Sequence, residues 1–170
     1  MKKILFLLLT IVSTVANAQS LKGQWASLQP IEEQPAYLIM QFEEKDSVGL
    51  GLLFEMEQGG NKIQITVTCD GTYEQDEEEL ALNFIDSSVK GNCDIAISEE
   101  LKSQLTDAIN GQMDELKKQL VDEIKKKFVQ ILPMLKALEI IELTDKELKV
   151  TTGKFEMTFT KVTRGQIPVT

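Results

Sequence analysis

The chain has 170 residues, of which 18 are Lys or Arg, 27 are Asp or Glu and none is His, giving a formal charge of −9 at pH 7. That balance disfavours nucleic acid, whose binding draws on concentrated Lys and Arg, and reads first as a device for solubility. Without His, the Ser-His-Asp and Cys-His mechanisms in their usual forms and the commonest zinc ligand are excluded, and no constellation of carboxylate, Lys, Tyr or Cys stands out in their place. The sequence therefore indicates no catalytic residue, no metal site and no cofactor.

The N-terminus has the three-part order of an export signal. Lys2 and Lys3 give a basic start. Ile4 to Val15 form an apolar run broken only by Thr10, Ser13 and Thr14. Ala16, Asn17 and Ala18 then put small residues where a signal peptidase needs them. A run of about a dozen residues falls short of the roughly 20 of a spanning helix, so no stable membrane span is expected. Cleavage after Ala18 would leave residues 19–170, remove two lysines and no acid, and take the formal charge from −9 to −11. The expected location is periplasmic or secreted.

From Leu21 onward the period is two, the mark of strands with one buried face. Residues 21–28, with the only Trp of the chain at Trp25, read as a first strand, and Pro30 and Pro35 bracket a loop. Tyr37 to Glu43 is a second strand. Val48 to Met56 is a third, with Leu50, Leu52, Phe54 and Met56 on one face and Gly49 and Gly51 on the other, where glycines suit strong bending. Gln58 to Asn61 is a turn. Ile63, Ile65, Val67 and Cys69 then alternate with Lys62, Gln64, Thr66 and Thr68, with a kink expected at Asp70-Gly71. The acidic run Asp76 to Glu79 reads as a solvated turn ahead of a calcium site, because consecutive side chains in a turn splay apart where a hard cation needs converging oxygens. Leu80, Leu82 and Phe84 share the next face, and Val89, Gly91, Cys93, Ile95 and Ile97 the one after.

Between Ser98 and Leu138 the period changes. Large apolar residues fall at Leu101, Leu105, Ile109, Met113, Leu116, Leu120, Ile124, Phe128, Ile131, Leu135 and Leu138, every step three or four, which is a helical stripe. Ser98 is placed to cap it, with Glu99 and Glu100 at the positive end of the dipole. A single helix of this length would run on the order of 55–60 Å, so a break at Asn110-Gly111 and an end at Pro133 are expected. Strands return at Glu139 to Leu143, Glu147 to Thr151 and Lys154 to Val162, and residues 163–170 read as a tail.

Eight or nine short strands joined by tight turns favour an antiparallel up-and-down barrel of about eight strands, with one or two amphipathic helices inserted at about 98–138 before the last strands. Three stretches carry a resemblance: Leu21 to Trp25 with its Gly-x-Trp, the hairpin from Gly71 to Phe84, and the closing strands from Leu143 to Val162. In that order they resemble the lipocalin-like secreted proteins of bacteria. The resemblance implies one barrel domain over residues 19–170, Trp25 as the plug of one barrel end, and a small hydrophobic molecule held inside, among Leu50, Leu52, Phe54, Ile63, Ile65, Leu82 and Phe84. The alternative is a filled barrel whose helix binds a protein of the cell envelope. Cys69 and Cys93 lie on apolar strand faces of an exported chain, so a disulfide closing a loop of about 24 residues and adding ~3 kcal/mol is expected, with buried free thiols as the alternative.

Overall fold

A computed structural model of the protein describes residues 20–31, 34–58, 60–97 and 107–163. The export signal, the Ser98 cap and the tail beyond residue 163 lie outside them. Among the described residues nine strands form: β1 Gly23–Ile31, β2 Gln34–Phe42, β3 Ser47–Gln58, β4 Asn61–Asp76, β5 Glu79–Phe84, β6 Lys90–Ala96, β7 Ala137–Leu143, β8 Glu147–Thr151 and β9 Glu156–Val162, with a helix, α1, at Asp107–Ile131. The sheet order β3-β2-β1-β9-β8-β7-β5-β4 closes through β3–β4 pairing into an antiparallel barrel of eight strands, and β6 pairs with β4 outside the ring.

The closure follows from β4, which is long enough to serve three partners. One of its edges pairs with β3 from Asn61 to Thr72, while the other pairs with β6 from Lys62 to Thr68 and then with β5 from Gly71 to Asp76. Where the partner changes, a ladder bond would be lost on Asp70. Ser88, in a short 3-10 turn at Asp86–Ser88, accepts the Asp70 N–H at 2.8 Å, and the Asp70 carbonyl accepts from Ile85 N–H at 2.9 Å. Gly71 is needed at the crossing: a Cβ there would stand 2.6 Å from the Asn83 carbonyl oxygen. The kink expected at Asp70-Gly71 is thus a change of neighbour within one continuous strand.

Alternation puts the apolar set inside. Trp25, Leu38, Met40, Leu50, Leu52, Ile65, Val67, Leu80, Leu82, Leu148, Val150, Met157 and Phe159 are buried in one cluster. Lys62, Thr68, Asp70, Thr72 and Glu74 face outward on β4 and are exposed. Apolar-in and polar-out is the reverse of a membrane-spanning barrel, and no helix among the described residues is long and apolar enough to cross a membrane. In β7 the pairing shifts between Ile140 and Glu142, leaving Ile141 half exposed. This bulge brings Leu143 back to the inner face opposite Leu148, which strict alternation would have turned outward.

Three expectations change. Pro30 and Pro35 do not bracket a loop but face each other as a cross-strand pair at the ends of β1 and β2, a rim position where a missing donor costs little. The helix does not break at Asn110-Gly111 but runs 25 residues through them. A Cβ at Gly111 would meet nothing within 4 Å, so the position is open and the glycine is a local weakness of about 1 kcal/mol that the flanking turns outweigh. Cys69 and Cys93 are not bridged. Cys93 lies opposite Ile65, so Cys69 is displaced from it by four residues along β4, roughly 13 Å at strand rise, against the ~7 Å limit between Cα atoms.

Pro133 does end α1, at Ile131, and a 3-10 turn at Leu132–Leu135 leads into β7. The helix packs on β6 and β4. Gly91 permits the approach, since a Cβ there would be 2.6 Å from Val121 Cγ1. Phe128, Leu132 and Leu135 enter the barrel core. The buried stripe is rotated slightly from the sequence expectation, with Val121 inside and Leu116 47% exposed.

Candidate functional site

The seven positions expected to hold a ligand are brought together in and against one buried apolar cluster. Leu50, Leu52, Phe54, Ile65 and Leu82 are at most 4% exposed within the core cluster, and Ile63 and Phe84 are half-buried at its margin. The strand register explains the grouping: Leu50 faces Cys69 and Met40, Leu52 faces Val67 and Leu38, and Phe54 faces Ile65 and Ala36 across the β2–β3–β4 wall. An eight-stranded barrel is just wide enough for its side chains to fill or for one small ligand.

The two ends of the barrel differ. The chain enters at Leu21, beside the turns that join β2 to β3, β4 to β5 and β7 to β8. Trp25 is fully buried at this end and donates its Nε1–H to the Leu21 carbonyl at 2.7 Å. Lys161 Nζ lies 4.9 Å from the centre of its ring. Gly23, at φ +125, allows this stacking, because a Cβ there would be 2.8 Å from Lys161 Cε. Phe42 and Tyr73 meet edge to face near the same end, with ring centres 5.0 Å apart.

The opposite end is formed by the start of β2, the β3–β4 and β8–β9 turns, and the 3-10 turn after α1. Here an apolar notch of about 150 Å³ opens between Met134 and Leu135 on one side and Pro30, Leu38, Phe155 and Met157 on the other. Leu38, Leu135 and Met157 are core residues, whereas Met134 is 49% and Phe155 37% exposed, so the notch joins solvent to the interior. Ser27 stands close by as the one buried polar residue among those described, its hydroxyl donating to the Thr158 carbonyl at 2.6 Å and accepting from Gln29 Nε2 at 2.7 Å. Sequence reading did not single out these residues. The available signal was the pair Met134-Leu135 directly after Pro133, apolar residues beyond a helix stop.

A larger hollow, about 820 Å³, lies on the outer surface over Gly49 and Gly51, between Gln41 and Glu43 on one side and Thr68 and Asp70 on the other. It exists because two neighbouring outward positions of β3 carry no side chain.

The groups with raised pKa line neither hollow. Burial raises the Tyr73 hydroxyl above its ordinary value, helped by the Asp46 charge. Burial likewise raises the Cys93 thiol, against a lowering by Lys117. Lys149 is raised by hydrogen bonds to Glu142 and Glu147, each at 2.9 Å, on the exposed face of β8. These three stand on different strands and form no acid–base pair. Among the described residues no group of three or more Cys, Asp or Glu side chains converges to hold a metal ion, and Asp76 to Glu79 are exposed along the β4–β5 hairpin. At the notch the chemistry on offer is apolar contact. No protein-family model matches the chain, and no characterised protein matches its sequence.

Proposed function

We propose that this chain is an exported, lipocalin-like binding module without catalytic activity, which accepts an apolar group at the barrel end remote from Trp25. The observation that carries the reading is the notch beside Met134 and Phe155, which reaches Leu38 and Met157 in the core. Its volume of about 150 Å³ suits a small ring or the end of a hydrocarbon chain rather than a whole lipid, since sites for drug-sized ligands run ~300–1,000 Å³. Methionine on both sides of the notch favours adaptable packing. The test is binding of a fluorescent alkyl probe, with Met157→Trp to fill the notch. The probe is expected to bind the parent and to lose most of its affinity for the variant. Equal binding by both places the ligand elsewhere.

A second reading is favoured by a different observation, the near-complete burial of Leu50, Leu52, Phe54, Ile65 and Leu82 in one cluster. On this reading the barrel is a filled scaffold in the cell envelope and its helix meets a partner protein. Native mass spectrometry of protein purified from its own cells separates the two. A co-purified small apolar mass supports the first, and a bare chain together with no probe binding supports the second.

A further inference from the structure

We infer that β6 is a self-association edge, through which two copies of this chain pair antiparallel about a two-fold axis at Asn92. Among the described residues β6 is paired on one side only, with β4. Its seven residues therefore present a row of backbone N–H and C=O groups on the other side, the template for adding a strand. Every second side chain along it, Lys90, Asn92 and Asp94, is exposed.

The charge pattern of the strand selects the partner. Lys90 and Asp94 stand two residues either side of Asn92. In an antiparallel pair centred on Asn92, Lys90 of each copy lies opposite Asp94 of the other, and the symmetry makes this pairing twice. Opposite charges directly across an antiparallel pair are favourable, and like charges are unfavourable. Moving the axis one residue to Cys93 sets Lys90 against Ala96 and Asn92 against Asp94, and both ion pairs disappear. The sequence is thus complementary to itself in one register, as a closed two-fold interface requires.

The apolar side of the strand agrees with that register. Centring on Asn92 brings Ile95 of one copy beside Val89 of the other. At that place the structure has a shallow, mostly apolar hollow of about 520 Å³ between Val89 and Val129 of α1, edged by Lys125, Lys126 and Gln130. Val129 is 40% exposed there and Ile95 is half-buried. The incoming Ile95 would cover Val89 and Val129, once on each copy, and extend the interface from a bare strand edge onto the helix. The inference stands whether or not the barrel binds an apolar ligand.

The experiment is the molar mass of the full chain by light scattering and sedimentation across the micromolar to millimolar range. The parent is expected as a dimer. Lys90→Glu replaces two attractions with two repulsions and should weaken the dimer by about tenfold or more. Combining it with Asp94→Lys restores both pairs in reversed sense and should restore the dimer. Asn92→Cys, at the axis, should cross-link two copies on mild oxidation. Circular dichroism confirms that each exposed-site variant keeps its fold. A parent that is monomeric throughout, a dimer indifferent to Lys90→Glu, or a folded charge-reversed double variant that stays monomeric each overturns the assignment.

Discussion

At the Trp25 end of the barrel the closing parts belong to the ring itself. Trp25 is on β1, its cation Lys161 is on the neighbouring β9, and its hydrogen-bond acceptor Leu21 is four residues away in sequence. At the other end the closing parts arrive from an inserted helix. Phe128, Leu132 and Leu135 fill the interior from α1 and the turn after it, with no strand ladder tying that helix to the sheet. The plug of the first end is part of a ladder, whereas the second end adds side-chain packing from α1 to the β1–β2 and β3–β4 ladders. A plug held by side-chain packing opens locally at a smaller free-energy cost than one built into a ladder, so the α1 end is where the molecule can admit something. The notch and the exposed Met134 and Phe155 lie at that end.

The largest effects are expected from Trp25→Ala and Phe128→Ala, both deletions of fully buried rings. Each is expected to cost about 3–5 kcal/mol in urea unfolding. They should differ in hydrogen exchange: Phe128→Ala should raise exchange first in α1 and the start of β7, while Trp25→Ala should raise it across β1, β2 and β9 together. Identical protection patterns would remove the distinction between the ends.

Next in size are two glycines, one in the ring and one under the helix. Gly71→Ala drives a Cβ into backbone at Asn83, whereas Gly91→Ala meets the side chains of Val121 and Lys125. The ring substitution should cost about 1–3 kcal/mol, and the helix-side one less, because α1 can shift outward. Greater loss of denaturation midpoint for Gly91→Ala would mean the helix seat is the stiffer of the two.

Smaller again is Lys161→Met, which removes the cation above Trp25 while keeping an apolar chain there. The expected loss is about 0.5–1 kcal/mol, read from the denaturation midpoint and accompanied by a shift in Trp25 fluorescence. The smallest effect is a pH dependence at Tyr73. Its hydroxyl is raised in the folded chain by burial first and Asp46 second, so as the pH climbs past the ordinary tyrosine value the unfolded chain ionises before the folded one. The sign is therefore a loss of stability on the alkaline side, and none below the ordinary value. Comparing urea midpoints of the parent and Tyr73→Phe between about pH 9 and about pH 11 isolates it. A parent that falls no faster than the variant shows that Tyr73 adds nothing.

The strand faces were legible because a period of two needs only neighbours along the chain. Ile63, Ile65, Val67 and Cys69 on one side of β4, and Leu50, Leu52 and Phe54 on one side of β3, could be read off directly. The helix could be read from its stripe and its end from Pro133. The candidate site was much less legible. Leu38, Met134, Phe155 and Met157 come from four distant stretches, and nothing in their local spacing marks them as a group. The cysteines show the same limit. Each was placed correctly on an apolar face, yet whether they meet depends on how β4 and β6 are aligned, and that alignment set Cys93 against Ile65.

Alternation, charge and the absence of His fixed what kinds of surface this chain could make: apolar strand faces, polar strand backs, an amphipathic helix and no histidine chemistry. These are properties of side-chain type and period, which one sequence carries in full. Tertiary structure alone decided that β4 serves three partners, that Ser88 and Gly71 repair and permit that exchange, that α1 fills one end of the barrel, and that among the described residues β6 pairs on one edge only. Each of those depends on which distant backbones come within hydrogen-bonding or packing range, and such distances are set by the folded chain as a whole.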